Sequence, residues 1–124
     1  MTIESDLFTA LTGYAGLMAL IVHRLYPDVR PQGATLPCVV YKRISTPRAQ
    51  AFGSAQTVVR SRPRFQFDCW ATTAAGALAL CAELRAGLLA TSFPVTLASE
   101  YTGRDPDSAY ACRHLDAFVG HTGE

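Results

Sequence analysis

The chain has 124 residues, 49% of them hydrophobic and 17% charged, with a formal net charge of +1. That length suits one domain whose core forms without staples, and the apolar content excludes a disordered chain. The near-neutral balance excludes a strong overall field toward nucleic acid or an anionic membrane.

The first segment reads as helical. Ile3, Leu7, Leu11 and then Leu17 and Ile21 recur at helical spacing, and Gly13 and Gly16 interrupt the pattern. Two short helices, or one kinked helix, are expected over about 3–12 and 14–23. Glu4 and Asp6 near the N-terminus, with no basic run, do not read as a signal peptide. The apolar run Ala15 to Val22 is far shorter than the ~20 residues of a membrane span. Pro27 and Pro31 forbid continuation of the helix and mark an extended connector.

Cys38 to Ser45 is β-branched and aromatic between Pro37 and Pro47, and reads as a strand. Residues 46–56 read as a loop or hairpin tip. Thr57 to Trp70 is the return strand. Phe65, Phe67 and Cys69 alternate with Arg60, Arg62, Arg64, Gln66 and Asp68, so one face packs on the core and the other meets water or a partner. Pro63 lacks an N–H and implies an edge or a bulge near 61–64.

Thr73 to Ala90 is the next helix, capped by Thr72 or Thr73. Leu80, Leu84 and Leu88 form its apolar stripe, with Leu78, Cys81 and Leu89 widening it. Phe93 to Tyr101 alternates, with Val95, Leu97 and Tyr101 on one face. Asp105-Pro106-Asp107 signals a turn. Tyr110 to Val119 is the last strand, with Leu115, Ala117 and Val119 on one face. The expected order is α-β-β-α-β-β over a single domain, residues 1–124. That order suits an α+β two-layer sandwich, a mainly antiparallel sheet with helices packed on one face.

No catalytic signature emerges. The chain lacks a phosphate-cradling glycine loop, HExxH and GxSxG. His114 and Asp116 share a strand face, but no activated nucleophile accompanies them, and a polar outward face accounts for both. Asp105 and Asp107 flank a proline and suit a turn better than acid–base work. Cys38, Cys69, Cys81 and Cys112 form no CxxC pair and are expected as buried hydrophobes rather than disulfides. Cys112 and His114 are two apart, without structural-zinc spacing, and need a distant third ligand. No metal, cofactor or catalytic residue is expected.

The notable constellation is electrostatic. Between Val29 and Phe67 lie seven basic residues, Arg30, Lys42, Arg43, Arg48, Arg60, Arg62 and Arg64, with no Asp or Glu. All ten acidic residues lie outside that stretch, against four basic ones. Three roles suit such a basic hairpin. It can be a solvated arginine face that deters aggregation. It can meet an acidic surface of a neighbouring subunit, here Glu100, Asp105 and Asp107. It can contact DNA phosphates without sequence preference. The second is preferred.

Arg24 to Pro27, Leu36-Pro37, Val40-Tyr41 and Phe65 to Trp70 leading into the helix 73–90 together carry a likeness. In this order the chain resembles the tail completion, or tail terminator, proteins of long-tailed bacteriophages, over about residues 3 to 119. The resemblance implies a non-enzymatic ring subunit, typically one of a hexamer, that caps the tail tube and joins it to the head completion or connector protein. It implies a place in the virion, at the head-proximal end of the tail, after assembly in the bacterial cytoplasm. DNA passes through such a ring, so non-specific contact in the lumen is possible on this view, and no membrane is involved. By analogy the loop 46–56 projects toward the lumen or a neighbour. Arg48, Phe52, Gln56, Arg60, Arg62 and Arg64 are the expected interface or DNA-facing residues. The alternative reading is a small α/β nucleic-acid-binding module that uses the basic hairpin.

Overall fold

A computed structural model describes residues 3–29, 33, 35–45, 48–50, 58–61, 63–91, 94–104 and 110–120. The chain begins with helices α1 (Ile3–Thr12) and α2 (Ala15–Ile21). Strands β1 (Leu25–Pro27), β2 (Cys38–Ser45), β3 (Arg48–Gln50), β4 (Val58–Ser61) and β5 (Arg64–Ala71) follow. Helix α3 (Ala74–Leu89) then leads to β6 (Val95–Arg104) and β7 (Ala111–Val119). Five strands form one sheet in the order β1-β2-β5-β7-β6, and β3 pairs with β4 in a sheet of its own. The fold is α+β. Its large sheet is antiparallel except for β1 against β2, and the helices cover one face. No described helix is long and apolar enough to cross a membrane.

The core follows from the two periodicities. Leu7 and Leu11 of α1, Leu17 and Ile21 of α2, and Leu80, Cys81, Leu84 and Leu88 of α3 point inward. They meet Val39, Tyr41, Phe65, Phe67, Cys69, Leu115, Ala117 and Val119 from alternate positions of the sheet. Leu97, also expected inside, is partly buried against this cluster. The Thr73 side chain accepts a hydrogen bond from Gly76 N at 3.0 Å and so caps α3. Gly87 lets α3 close on the N-terminal helices. A Cβ there would lie 3.2 Å from the Tyr14 ring.

Four details depart from expectation. The connector after α2 contains a strand: Leu25–Pro27 pairs parallel with Val39–Tyr41. Pro27 is tolerated because β1 is an edge strand and needs no further donor. Val22 and His23 make the turn into it with φ of 48° and 65°. A left-handed β-branched residue costs roughly 1–2 kcal/mol, which the packing on either side of this turn must offset.

The return strand is the second departure. It splits into β4 and β5, with Pro63 between them. A register shift between Arg43 and Ser45 lies opposite Phe65 and Arg64, and Ile44 within it is exposed.

Third, Leu78 and Leu89 do not widen the buried stripe of α3. They are 50% and 62% exposed. At 100° per residue they fall off the face set by Leu80, Leu84 and Leu88. Fourth, Tyr101 does not share a face with Val95 and Leu97. The register of β6 on β7 shifts between Leu97 and Ser99, and one extra residue exchanges the faces beyond it. Glu100 therefore turns toward α3, and Tyr101 packs against His114 on the opposite face.

Candidate functional site

The face of the sheet turned away from the helices carries most of the polar chemistry. Alternation on β5 places Arg64, Gln66 and Asp68 there, and alternation on β7 adds Cys112, His114 and Asp116. In the register, Gln66 stands opposite Asp116 and Asp68 opposite His114. Asp68 and Asp116 are nonetheless buried, at 8% and 3% exposure.

Each buried carboxylate has partners. Arg64 Nη2 donates to Asp116 Oδ2 at 2.5 Å, and Ser99 Oγ donates to the same oxygen at 3.3 Å. Asp116 Oδ1 is buried without a hydrogen-bond partner. Gln66 Nε2 donates to Asp68 Oδ1 at 2.9 Å, and His114 Nδ1 lies 2.5 Å from that oxygen. The carboxylate that orients His114 is thus Asp68 of the neighbouring strand, while Asp116, its near neighbour in sequence, is held by Arg64. Cys112 Sγ sits 3.9 Å from His114 Nε2 and 4.0 Å from Nδ1.

On the helix side, Glu100 is clasped by Arg85 of α3 and by Arg113 Nε at 2.7 Å. Arg113 Nη1 also donates to Thr102 Oγ1 at 2.7 Å. Burial pushes the Glu100 carboxyl up, but the hydrogen bonds from Arg113 and Arg85 outweigh it and hold it below its ordinary value of 4.5. The clasp therefore contributes stability above that value and loses it as pH falls through the lower folded pKa. Thermal unfolding followed against pH should show this. Glu100→Gln is expected to lower Tm at neutral pH and to flatten the acid limb of the profile. An unaltered acid limb would mean that the clasp adds nothing.

Arg43 of β2 turns to the helix side as well. It pairs with Glu4 of α1, and its guanidinium lies 5.9 Å from the Phe65 ring centre. All four cysteines are buried, and none is disulfide-bonded. The Cys69 thiol is pushed well up by its hydrogen bond with Cys81 and by burial, so it stays protonated and packs as a core side chain.

The residues expected to form an interface divide unevenly. Arg48 and Arg60 lie on the two strands of the separate hairpin, where Arg48 stands opposite Ser61 and Arg60 opposite Ala49. Phe52, Gln56, Arg62, Asp105 and Asp107 lie outside the described residues. Arg64 and Glu100 each already have partners within the chain. Sequence reasoning missed Asp68 as the partner of His114. Two strands with alternating polar residues, Arg64-Gln66-Asp68 and Cys112-His114-Asp116, were the available signal, but only their register shows which residues meet.

The fold has close relatives in shape. The chain is similar to a chain in the virion of the native gene transfer agent (GTA) particle, with a TM-score of 0.69 and 16% identity, over 98% of this chain and 95% of that one. It is also similar to the bacteriophage SPP1 gp17 protein, with a TM-score of 0.57 and 16% identity, over 94% of this chain and 86% of that one. At such identity these likenesses are of fold. No curated protein sequence matches the chain. Residues 5–116 match the family described as tail completion protein gp17. That span runs from the first turn of α1 through all but the end of β7, and the chain belongs to this family of phage tail structural proteins.

Proposed function

We propose that the chain is a ring subunit that caps the tail tube of a phage or gene-transfer-type particle and joins it to the head connector, with no catalytic role. Membership of the tail completion family supports the tail as its place. The observation that carries the ring is the segregation of charge along the chain, with Arg48 and Arg60 of the basic stretch set on a separate hairpin. The stretch from Val29 to Phe67 has seven basic and no acidic residues, and β3–β4 within it forms a sheet apart from the five-stranded one. A head-to-tail ring needs two different surfaces that fit each other, and opposite charge on one chain sets their orientation. On this reading the hairpin reaches a neighbouring copy, and the acidic residues Asp105 and Asp107 receive it. Six copies close the ring, its two rims contact the tail tube protein and the head connector, and DNA passes through the lumen at the head-proximal end of the tail.

Electron microscopy of the purified protein, with its mass measured under native conditions, tests this reading. Closed rings of one stoichiometry are the expected result. A monomer under assembly conditions overturns it. A monomer that retards DNA at low salt, and releases it as salt rises, supports the nucleic-acid module in its place.

A further inference from the structure

The register of β5 on β7 brings together three side chains of complementary chemistry that lie far apart in sequence. Asp68 stands opposite His114, and Cys112 lies one step along the same face of β7. One donor atom from each of the three lies within 4.8 Å of the other two. Sulfur, ring nitrogen and carboxylate oxygen in such a group are the donor set that selects zinc-class ions over magnesium or calcium. We infer that Asp68, Cys112 and His114 bind a borderline-soft divalent cation of the zinc class.

Binding requires all three donors to shift from their present separations of up to 4.8 Å. Tetrahedral zinc, at about 2.3 Å from sulfur and 2.0–2.1 Å from nitrogen, separates those two ligands by ~3.6 Å. The Cys112 sulfur lies 3.9–4.0 Å from the His114 ring nitrogens, so it closes by a few tenths of an ångström. Asp68 and His114, now 2.5 Å apart, open toward the ~3.3 Å that separates two oxygen and nitrogen ligands of tetrahedral zinc.

The surroundings hold the donors in place. Gly103 lies opposite Cys112, and a Cβ at Gly103 would collide with His114 Nε2, so the absent side chain makes room for the ring. Tyr101 packs on the imidazole with ring centres 4.8 Å apart. Gln66 Nε2 fixes Asp68 Oδ1. Asp116 stays outside the donor set because Arg64 and Ser99 hold it.

A thiol hydrolase is the competing use of a Cys-His-Asp group, and burial disfavours it. Cys112 is 1% exposed, which denies its sulfur to a substrate carbonyl, whereas an ion needs only the donor atoms. Three protein ligands leave one tetrahedral position for water. A bound ion joins β5 to β7 and stabilises the folded chain by mass action.

Titration of the purified full-length protein with Co2+ tests the site. The expected result is a single equivalent with a thiolate-to-metal charge-transfer band, displaced by Zn2+, and a rise in Tm when Zn2+ is added. Cys112→Ser is expected to abolish the band. Gln66→Ala, which loosens only the support of Asp68, is expected to keep the band with affinity lower by roughly 10–100-fold. Folded protein that takes up no metal overturns the inference. So does uptake without the thiolate band, or uptake that survives His114→Gln. Wild-type spectra alone decide the matter if Cys112→Ser does not fold. Rings that form with or without metal leave this result independent of the assembly reading.

Discussion

Phe67→Ala is expected to lower the unfolding free energy by roughly 3–5 kcal/mol, the range for deleting a buried aromatic side chain from a core that relaxes only in part. Phe67 is 0% exposed at the middle of the central strand β5. Tyr41 and Leu115 flank it in the register, and the Phe65 ring centre lies 6.1 Å away. Neighbouring side chains on a strand cannot swing into the space without leaving the pleat, so much of the cavity persists. Urea unfolding checks the value. With m near 1–3 kcal/mol/M, such a loss moves the midpoint down by about 1 M or more. Leu78→Ala is the control, because Leu78 is half exposed and should change stability by under about 0.5 kcal/mol. A midpoint unmoved by Phe67→Ala would mean that the two faces of β5 had been assigned in reverse.

The alternation that identifies Phe67 is also what made most of the core legible. Phe65, Phe67 and Cys69 against Arg64, Gln66 and Asp68 is a period of two, and Leu80, Leu84 and Leu88 is a period near 3.6. Both patterns are local, and the apolar face of each is buried as read, although Asp68 on the polar face of β5 is buried too. What was not legible depends on register. The shift in β6 between Leu97 and Ser99 leaves no mark in composition, yet it moves Tyr101 to one face and Glu100 to the other. The three-residue β1 is too short to show a period, and Pro27 argues against it until an edge position is known. The candidate site suffers most from this limit. Asp68 and His114 are 46 positions apart, and Arg64 and Asp116 are 52 apart. Sequence places each on a polar face, but only the pairing of β5 with β7 makes them partners.

Those pairings reshape the assembly experiment. Reversing Arg64 would leave Asp116, a residue only 3% exposed, without its guanidinium partner and facing a like charge. Glu100 is likewise committed to Arg85 and Arg113. Reversal at either residue would confuse damage to the fold with damage to an interface. The informative variant is therefore Arg48→Glu, Arg60→Glu and Arg62→Glu together. Arg48 and Arg60 belong to the hairpin that forms its own sheet, so stability should change little. Ring formation should be lost, because a repulsive contact repeats at every interface of a symmetric ring and a modest local penalty is multiplied. Sedimentation and micrographs would then show a folded monomer. Adding Asp105→Arg and Asp107→Arg restores the opposite signs and should restore rings, which a general loss of solubility would not allow. If the triple variant still closes into rings but particles lose DNA retention, the hairpin faces the lumen. If assembly and DNA retention both survive, the arginines form a solvated face, and the complementary surfaces of the ring lie elsewhere on the chain.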